Sequence, residues 1–270
     1  MFNQPGRYLR FFGSVARYTM VREMSFRGNF LVKIAVEVIW LGILVAFFRT
    51  LFASTKSVAG WDESQYLFFM GCFFAINGLI ECLFLDNCNE FAELVRTGDL
   101  DFLLVKPIDE QFLVTCRRID WGTAPNVLMG GVVMATALAG MSWSFDLARV
   151  AAFCMTFACG VAMCYCFMLT LTSFSVWMVR NQSLMEMWWL FSSLARYPKE
   201  IFLGTWLQPA GFILTFVVPI MLVVNVPAST MVRAFDPAMV AFTVVATALA
   251  FVASRAFFRR ALRSYRSASS

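Results

Sequence analysis

The side chains able to do chemistry in this chain are few, and what is missing excludes whole reaction classes. There is no histidine, so no Ser-His or Cys-His nucleophile pair can form and no His-ligated zinc, haem or di-iron centre can be built. The eight cysteines, at 72, 82, 88, 116, 154, 159, 164 and 166, include no C-x-x-C pair. Most lie in apolar runs, where cysteine behaves as a small hydrophobe. Asp and Glu are scattered among predicted loops rather than paired as general acid and base chemistry requires. No G-x-x-x-x-G-K-[ST] phosphate loop occurs, so the chain carries no nucleotide motor of that type. No catalytic residue and no metal ligand is expected.

Four polar residues stand out because they interrupt apolar runs: Lys33, Glu37, Asn77 and Glu81. Ionisable groups inside membrane segments are costly and face a bundle interior or an aqueous cavity. Lys33 and Glu37 are four residues apart, so on a helix they share a face and can neutralise each other as an ion pair near the membrane interface. Glu81, with Asn77 one turn earlier, fits either a cavity or simple snorkelling towards the headgroups.

The elements that hold these residues follow from composition. Of 270 residues 60% are apolar and 14% charged, with 30 Phe, 16 Met and 8 Trp. A soluble domain has about 45–50% apolar and about 25% charged residues, so this chain takes the bilayer as its solvent. The reading is all-α: one polytopic helix bundle over 1–270, with an amphipathic arm at 1–29, a bundle of six transmembrane helices at 30–254 and a basic tail at 255–270. The six spans, each of about 20 apolar residues, are placed near 30–52, 64–85, 121–145, 150–179, 209–226 and 237–254. Three prolines, at 209, 219 and 227, punctuate the fifth, and residues 227–232 are read as a short non-spanning piece. Residues 184–195, with Trp188 and Trp189, fit either an interfacial belt or the lower part of a broken helix. Gly131, Ala135 and Ala139 make a small-residue stripe in the third span, suited first to internal packing and second to dimerisation.

Lys and Arg set the orientation. The arm holds five, the loop at 86–119 four, the loop at 179–203 three and the tail five, against four on the other side. Both termini are therefore expected in the cytoplasm of a cell-membrane protein. The net charge of +5 reflects this topology and implies no nucleic-acid partner. The first 29 residues mix Arg with Tyr, Phe, Leu and Met. They suit a helix in the headgroup layer and lack the continuous apolar core of a cleavable signal.

The loop at 86–109 carries the most information. Asn87 or Asn89 can cap a helix, Glu90 and Glu93 suit its first turns, Arg96 its last, and Gly98 its stop. A helix at about 89–97 is predicted, with Phe91, Leu94 and Val95 on one face and acidic residues on the other. An exposed amphipathic helix of this kind needs a partner groove.

At this loop the chain resembles a known family. The stretch E-L-V-R-T-G-D-L-D-F-L-L-V-K-P-I at 93–108 resembles the loop of ABC transporter type-2 permeases of the exporter subgroup. The stretches R-Y-P-K-E-I at 196–201, L-T-F-V-V-P-I-M at 214–221 and N-V-P-A at 225–228 are similar to the later half of the same subgroup. The resemblance implies a six-span export permease with an N-terminal elbow helix and a cytoplasmic coupling helix docked on a separate ABC ATPase subunit. ATP and Mg would be bound by that ATPase and no cofactor by this chain. A second permease, identical or related, would complete the path among membrane lipids. Carried onto this sequence, Phe91, Glu93, Leu94, Arg96 and Asp99 would touch the ATPase. The stretch from Gly98 to Pro107 would orient the helix, and the loop around Lys199 would make a smaller contact. The alternatives are a non-transporting scaffold that recruits a cytoplasmic partner, a channel, and a membrane-embedded transferase. The missing histidine argues against the last, and no ring of repeated polar residues favours the channel.

Overall fold

The computed structural model describes residues 5–141, 143–178, 182–202, 208–217 and 219–265. Arg180, at the expected end of the fourth span, and the last five residues of the basic tail lie outside them. The described residues are almost wholly helical. Helix α1 (Pro5–Ser25) leads into α2 (Arg27–Ser54), and α3 (Glu63–Ile80) continues through a π-turn (Glu81–Leu85) into α4 (Asp86–Thr97). Short helices α5 (Leu100–Leu104) and α6 (Glu110–Thr115) precede α7 (Ala124–Gly140) and α8 (Leu147–Phe174). Then come α9 (Gln182–Ala195), a 3-10 turn (Lys199–Phe202), α10 (Gln208–Phe212) with a π-turn (Ile213–Val217), α11 (Ile220–Val232) and α12 (Pro237–Ser264).

Four of these helices are long and apolar enough to cross a membrane: 27–54, 63–97, 147–174 and 237–264. The bent pair Gln208–Thr215 and Ile220–Val232, which turns by 83°, would make a fifth. Among the described residues that makes four or five of the six spans expected. Helix α7 has only 17 residues, about 25 Å at 1.5 Å per residue. The span expected at 209–226 is broken, with Pro219 as the N-cap of α11.

The helix expected at 89–97 is not separate. It is the end of a 35-residue helix, Glu63–Thr97. Asn87 caps nothing, because its side chain is used across the fold: Nδ2 donates to the carbonyls of Leu83 (2.9 Å) and Arg118 (2.8 Å), and Oδ1 accepts from the Arg118 N–H (2.9 Å). The expected stop holds: Gly98 has φ 82°, the left-handed conformation that ends helices and favours glycine.

A second correction concerns residues 182–202. Helix α9 runs along the bundle: Ser192 donates to Asn77 Oδ1 (2.7 Å), and the Lys199 N–H donates to Asn225 Oδ1 (2.9 Å). Glu200 accepts from the Trp61 indole (3.0 Å) and from Arg233 (3.2 Å). Lys199 thus sits toward the end that carries Trp61 and Arg233, away from α4, and not on the side of the 86–119 loop where the charge count put it. Hydropathy hid this helix because Arg196, Pro198, Lys199 and Glu200 follow it at once.

Helix α3 is the centre of the bundle, packed against α7, α8 and α11. Glycines permit this: a Cβ on Gly71 would lie 2.6 Å from Met134 Cγ and 2.8 Å from the Gly130 carbonyl oxygen, and one on Gly160 would lie 2.4 Å from the Val223 carbonyl oxygen. The stripe Gly131, Ala135 and Ala139 is not the internal seam expected. A Cβ on Gly131 would meet nothing within 4 Å, and Ala135 and Ala139 are exposed. The contact uses Gly130, one residue earlier. The main core around Trp61, Phe69 and Trp188 fills this bundle. A second, smaller core joins Phe91, Leu100, Val114, Leu169 and Phe258 beneath α4.

Candidate functional site

Two regions collect the residues singled out above. The first is a cleft between α2, α3, α7 and α9, a cavity of about 510 Å³ whose lining includes Glu37, Asn77, Glu81, Asn126, Ser192 and Arg196. The expected Lys33–Glu37 ion pair does not form. Lys33 Nζ instead donates to both oxygens of Asp120 at 3.1 Å, and Glu37 accepts from Asn126 Nδ2 at 3.0 Å. Spacing placed the two on one face, but each has a better partner on the segment that starts α7. Gly122 makes room: a Cβ there would lie 2.6 Å from Lys33 Cδ. Asn77 is buried, donates to the Phe73 carbonyl (3.0 Å) and accepts from Ser192. Glu81, in the π-turn, lines the cleft, as the cavity reading of its position requires.

The arm packs on the segment that precedes α7. Tyr8 and Phe11 pack edge-on against Phe112, and the Trp121 indole donates to the Ala16 carbonyl and to Thr19 Oγ1, both at 3.2 Å. Glu23 accepts the Trp121 N–H (3.2 Å). Partial burial first, and then the nearby Asp120 carboxylate, push the Glu23 carboxyl above its ordinary range, while Lys33 pulls it back.

Sequence reasoning missed Arg196, a charged residue of the cleft lining. Its guanidinium carbon lies 6.0 Å from the centre of the Trp40 ring and 5.4 Å from that of Phe73. Among the described residues it has no carboxylate within 4.0 Å, and its Nε is buried without a hydrogen-bond partner. A guanidinium stays charged at any relevant pH. Arg196 heads the R-Y-P-K-E-I stretch of the resemblance, but the neighbouring proline and charges made it read as loop.

The second region is the far end of the long helix. Glu93 and Arg96 are both exposed and form an ion pair at 2.5 Å. Thr97 Oγ1 donates to Asp99 (2.8 Å) just past the stop. Leu94 is half-buried against the second core. Phe91, expected to touch a partner, is instead fully buried, its ring 6.0 Å from Phe258. It is corrected from a contact residue to an internal one: the apolar face of the helix is covered by α8 and α12. Polar contacts reinforce the joint. Arg255 on α12 donates to Asp109 (2.7 Å) and Gln111 (3.1 Å), Gln111 donates to Tyr165 on α8 (2.7 Å), and Glu90 pairs with Arg117 and Arg118. Among the described residues no group of three His, Cys, Asp or Glu is placed to hold a metal.

A family model described as ABC-2 family transporter protein matches residues 38–269. The chain belongs to that family. No curated protein and no solved structure matches it. In this ABC-2 family protein the match takes in all of α4 and every cleft residue after Glu37, and leaves out α1 with the start of α2. Family membership makes it a multi-pass membrane subunit of a transporter, whose relatives work with an ABC ATPase.

Proposed function

We propose that this chain is the permease subunit of an ABC-type exporter, forming a path for its substrate while a separate ATPase binds ATP and Mg and supplies the energy. The family match over 38–269 carries this reading. In it, α2, α3, α7, α8, α9 and α12 cross the membrane, and α10 with α11 dips in and returns at the Trp61–Glu200–Arg233 end. An even number of crossings puts both termini on one side, which the positive-inside rule makes the cytoplasm. The arm, the 86–119 loop and the tail keep most of the basic residues there even with Arg196 and Lys199 removed from that side. The ATPase docks on the exposed tip of α4, through Glu93, Arg96 and Asp99, with Gly98 fixing where the helix ends. A second permease, identical or related, faces this one across the path.

The mechanism is alternating access. ATP binding closes the motor subunits and moves α4, and the continuous helix carries that displacement from Thr97 to Glu63. The motor shifts the equilibrium only by its differential affinity for the two states. The test is gentle purification of the tagged chain from its native membrane, with the identity and stoichiometry of what stays bound. An ABC ATPase together with two permease chains per complex is expected. A chain that emerges without any ATP-binding partner under several detergents refutes the reading and favours a scaffold or channel.

A further inference from the structure

We infer that the cleft binds a zwitterionic amphiphile, with its anionic group on Arg196 and its positively charged nitrogen on Glu37, Glu81 and Asn126. The inference rests on the export reading for the ligand's role as substrate, but binding itself needs only this chain. It begins with two unmet demands in one cavity. At one end the Arg196 guanidinium lies over Trp40 and Phe73, so its faces meet aromatic rings. Its in-plane donors meet no carboxylate among the described residues, and Nε is buried and unpartnered. Such an uncompensated charge inside a membrane segment is costly. A carboxylate or phosphate is the partner that matches the guanidinium fork. At the other end Asn126 is 4% exposed, and its Oδ1 has no partner. Asn126 Nδ2 is already given to Glu37, so what this end lacks is a donor.

Charge accounting decides among ligand classes. A simple anion approaching Arg196 passes Glu37, Glu81, Asp86 and Asp120, of which only Asp120 is paired with a lysine. A simple cation satisfies the carboxylates but leaves Arg196 uncompensated. A ligand with both charges satisfies both ends, and its apolar body finds Phe73, Phe74 and the exposed Trp40 and Trp189. Helix rise sets the spacing: Trp40 to Glu37 spans about 4.5 Å of α2, and Phe73 to Glu81 about 12 Å of α3. The two charges should therefore be separated by a distance between these limits, and the negative one should be nearer the tail.

The test uses the purified full chain in neutral maltoside micelles, so that no lipid headgroup competes. Single-chain amphiphiles with identical brominated tails and phosphoethanolamine, primary ammonium, sulfonate or maltoside heads are titrated against tryptophan fluorescence. Saturable quenching is expected to be tightest for phosphoethanolamine, whose ammonium donates hydrogen bonds. R196Q and the pair E37Q/E81Q should each weaken that probe about tenfold or more. R196Q should also improve the primary ammonium probe relative to phosphoethanolamine, and E37Q/E81Q the sulfonate probe. That crossover does not arise from misfolding, and R196K, which keeps the charge, guards against a variant that fails to fold. Equal affinity for all heads, tightest binding of the cation or the anion by the unmodified chain, or no saturable quenching would each overturn the inference. ATPase recovery is measured separately, so a failed cleft and a failed exporter reading remain distinguishable.

Discussion

Replacing Phe91 and replacing Glu93 should have opposite consequences although the two are neighbours on one helix. Phe91 is 0% exposed and packs with Leu100, Val114, Leu169 and Phe258. Phe91→Ala removes a ring from a closed site and leaves a cavity, at a cost of about 3–5 kcal/mol. For a chain of this size that lowers the midpoint of thermal inactivation by of order 10 °C. Glu93 touches only Arg96 on the exposed side, so Glu93→Arg should leave that midpoint unmoved. It places a second positive charge on the tip of α4, however, and should cut ATPase recovery about tenfold or more, because like-charge contacts suppress docking. Leu94 is unsuitable for this comparison, since it packs partly on the second core and mixes both effects. The assays are thermal inactivation in detergent and ATPase co-purification from the same preparations. Normal ATPase recovery with Glu93→Arg, or normal melting with Phe91→Ala, would refute the division of this helix into an inner face that anchors and an outer face that docks.

Glycine substitutions test the packing of α3 on α7. Gly71→Ala should destabilise, because its new methyl would sit 2.6 Å from Met134 Cγ and 2.8 Å from a backbone oxygen, an overpacking of about 1–3 kcal/mol against a helix-propensity gain of about 1 kcal/mol. Gly131→Ala meets nothing and should be neutral or stabilising; melting in detergent separates the two, and equal effects would count against the assigned contact. Topology is tested by thiol labelling in a background without the native cysteines. Lys56→Cys and Lys199→Cys should react with a membrane-impermeant maleimide in intact cells, and Arg96→Cys only after permeabilisation. A Lys199→Cys that behaves like Arg96→Cys would return residue 199 to the cytoplasmic side.

Where local chemistry decides the outcome, the sequence was readable. The stop at Gly98 needs only one left-handed residue, and the long apolar runs need only a solvent to match. Where partners come from distant segments, spacing was insufficient. The four-residue interval between Lys33 and Glu37 says that they share a face, yet Asp120 and Asn126 decide what each one bonds. Asn87 has the right chemistry for a cap but is drawn to the Arg118 backbone, so the helix passes straight through. The seam on α7 was one residue off because Gly130 and Gly131 are equivalent in sequence and differ only in what α3 brings near. Helix α9 was left between two readings for a further reason: hydropathy counts Arg196, directly after it, as a break and takes no account of the Trp40 and Phe73 rings beside it.

The two regions of interest are mechanically one. At 1.5 Å per residue the 35-residue helix Glu63–Thr97 is about 52 Å long, and Glu81 and Leu85 of its π-turn line the cleft. Below that turn the helix is fixed to α8 and α12 through Phe91, Leu169 and Phe258; above it, through Gly71 and Gly78, it is fixed to α7. A push on Glu93 and Arg96 therefore cannot be absorbed by sliding α4 alone. It must either carry α8 and α12 along or change the angle at the π-turn, an irregularity that often marks functional sites in helices. Either movement displaces Glu81 relative to Arg196, which is carried past the end of α9 and tied to α3 by the Phe73 contact and the Ser192–Asn77 hydrogen bond. The distance between the cleft's positive and negative ends is thus the quantity that the motor would alter, and a ligand matched to that distance in one state is released in the other.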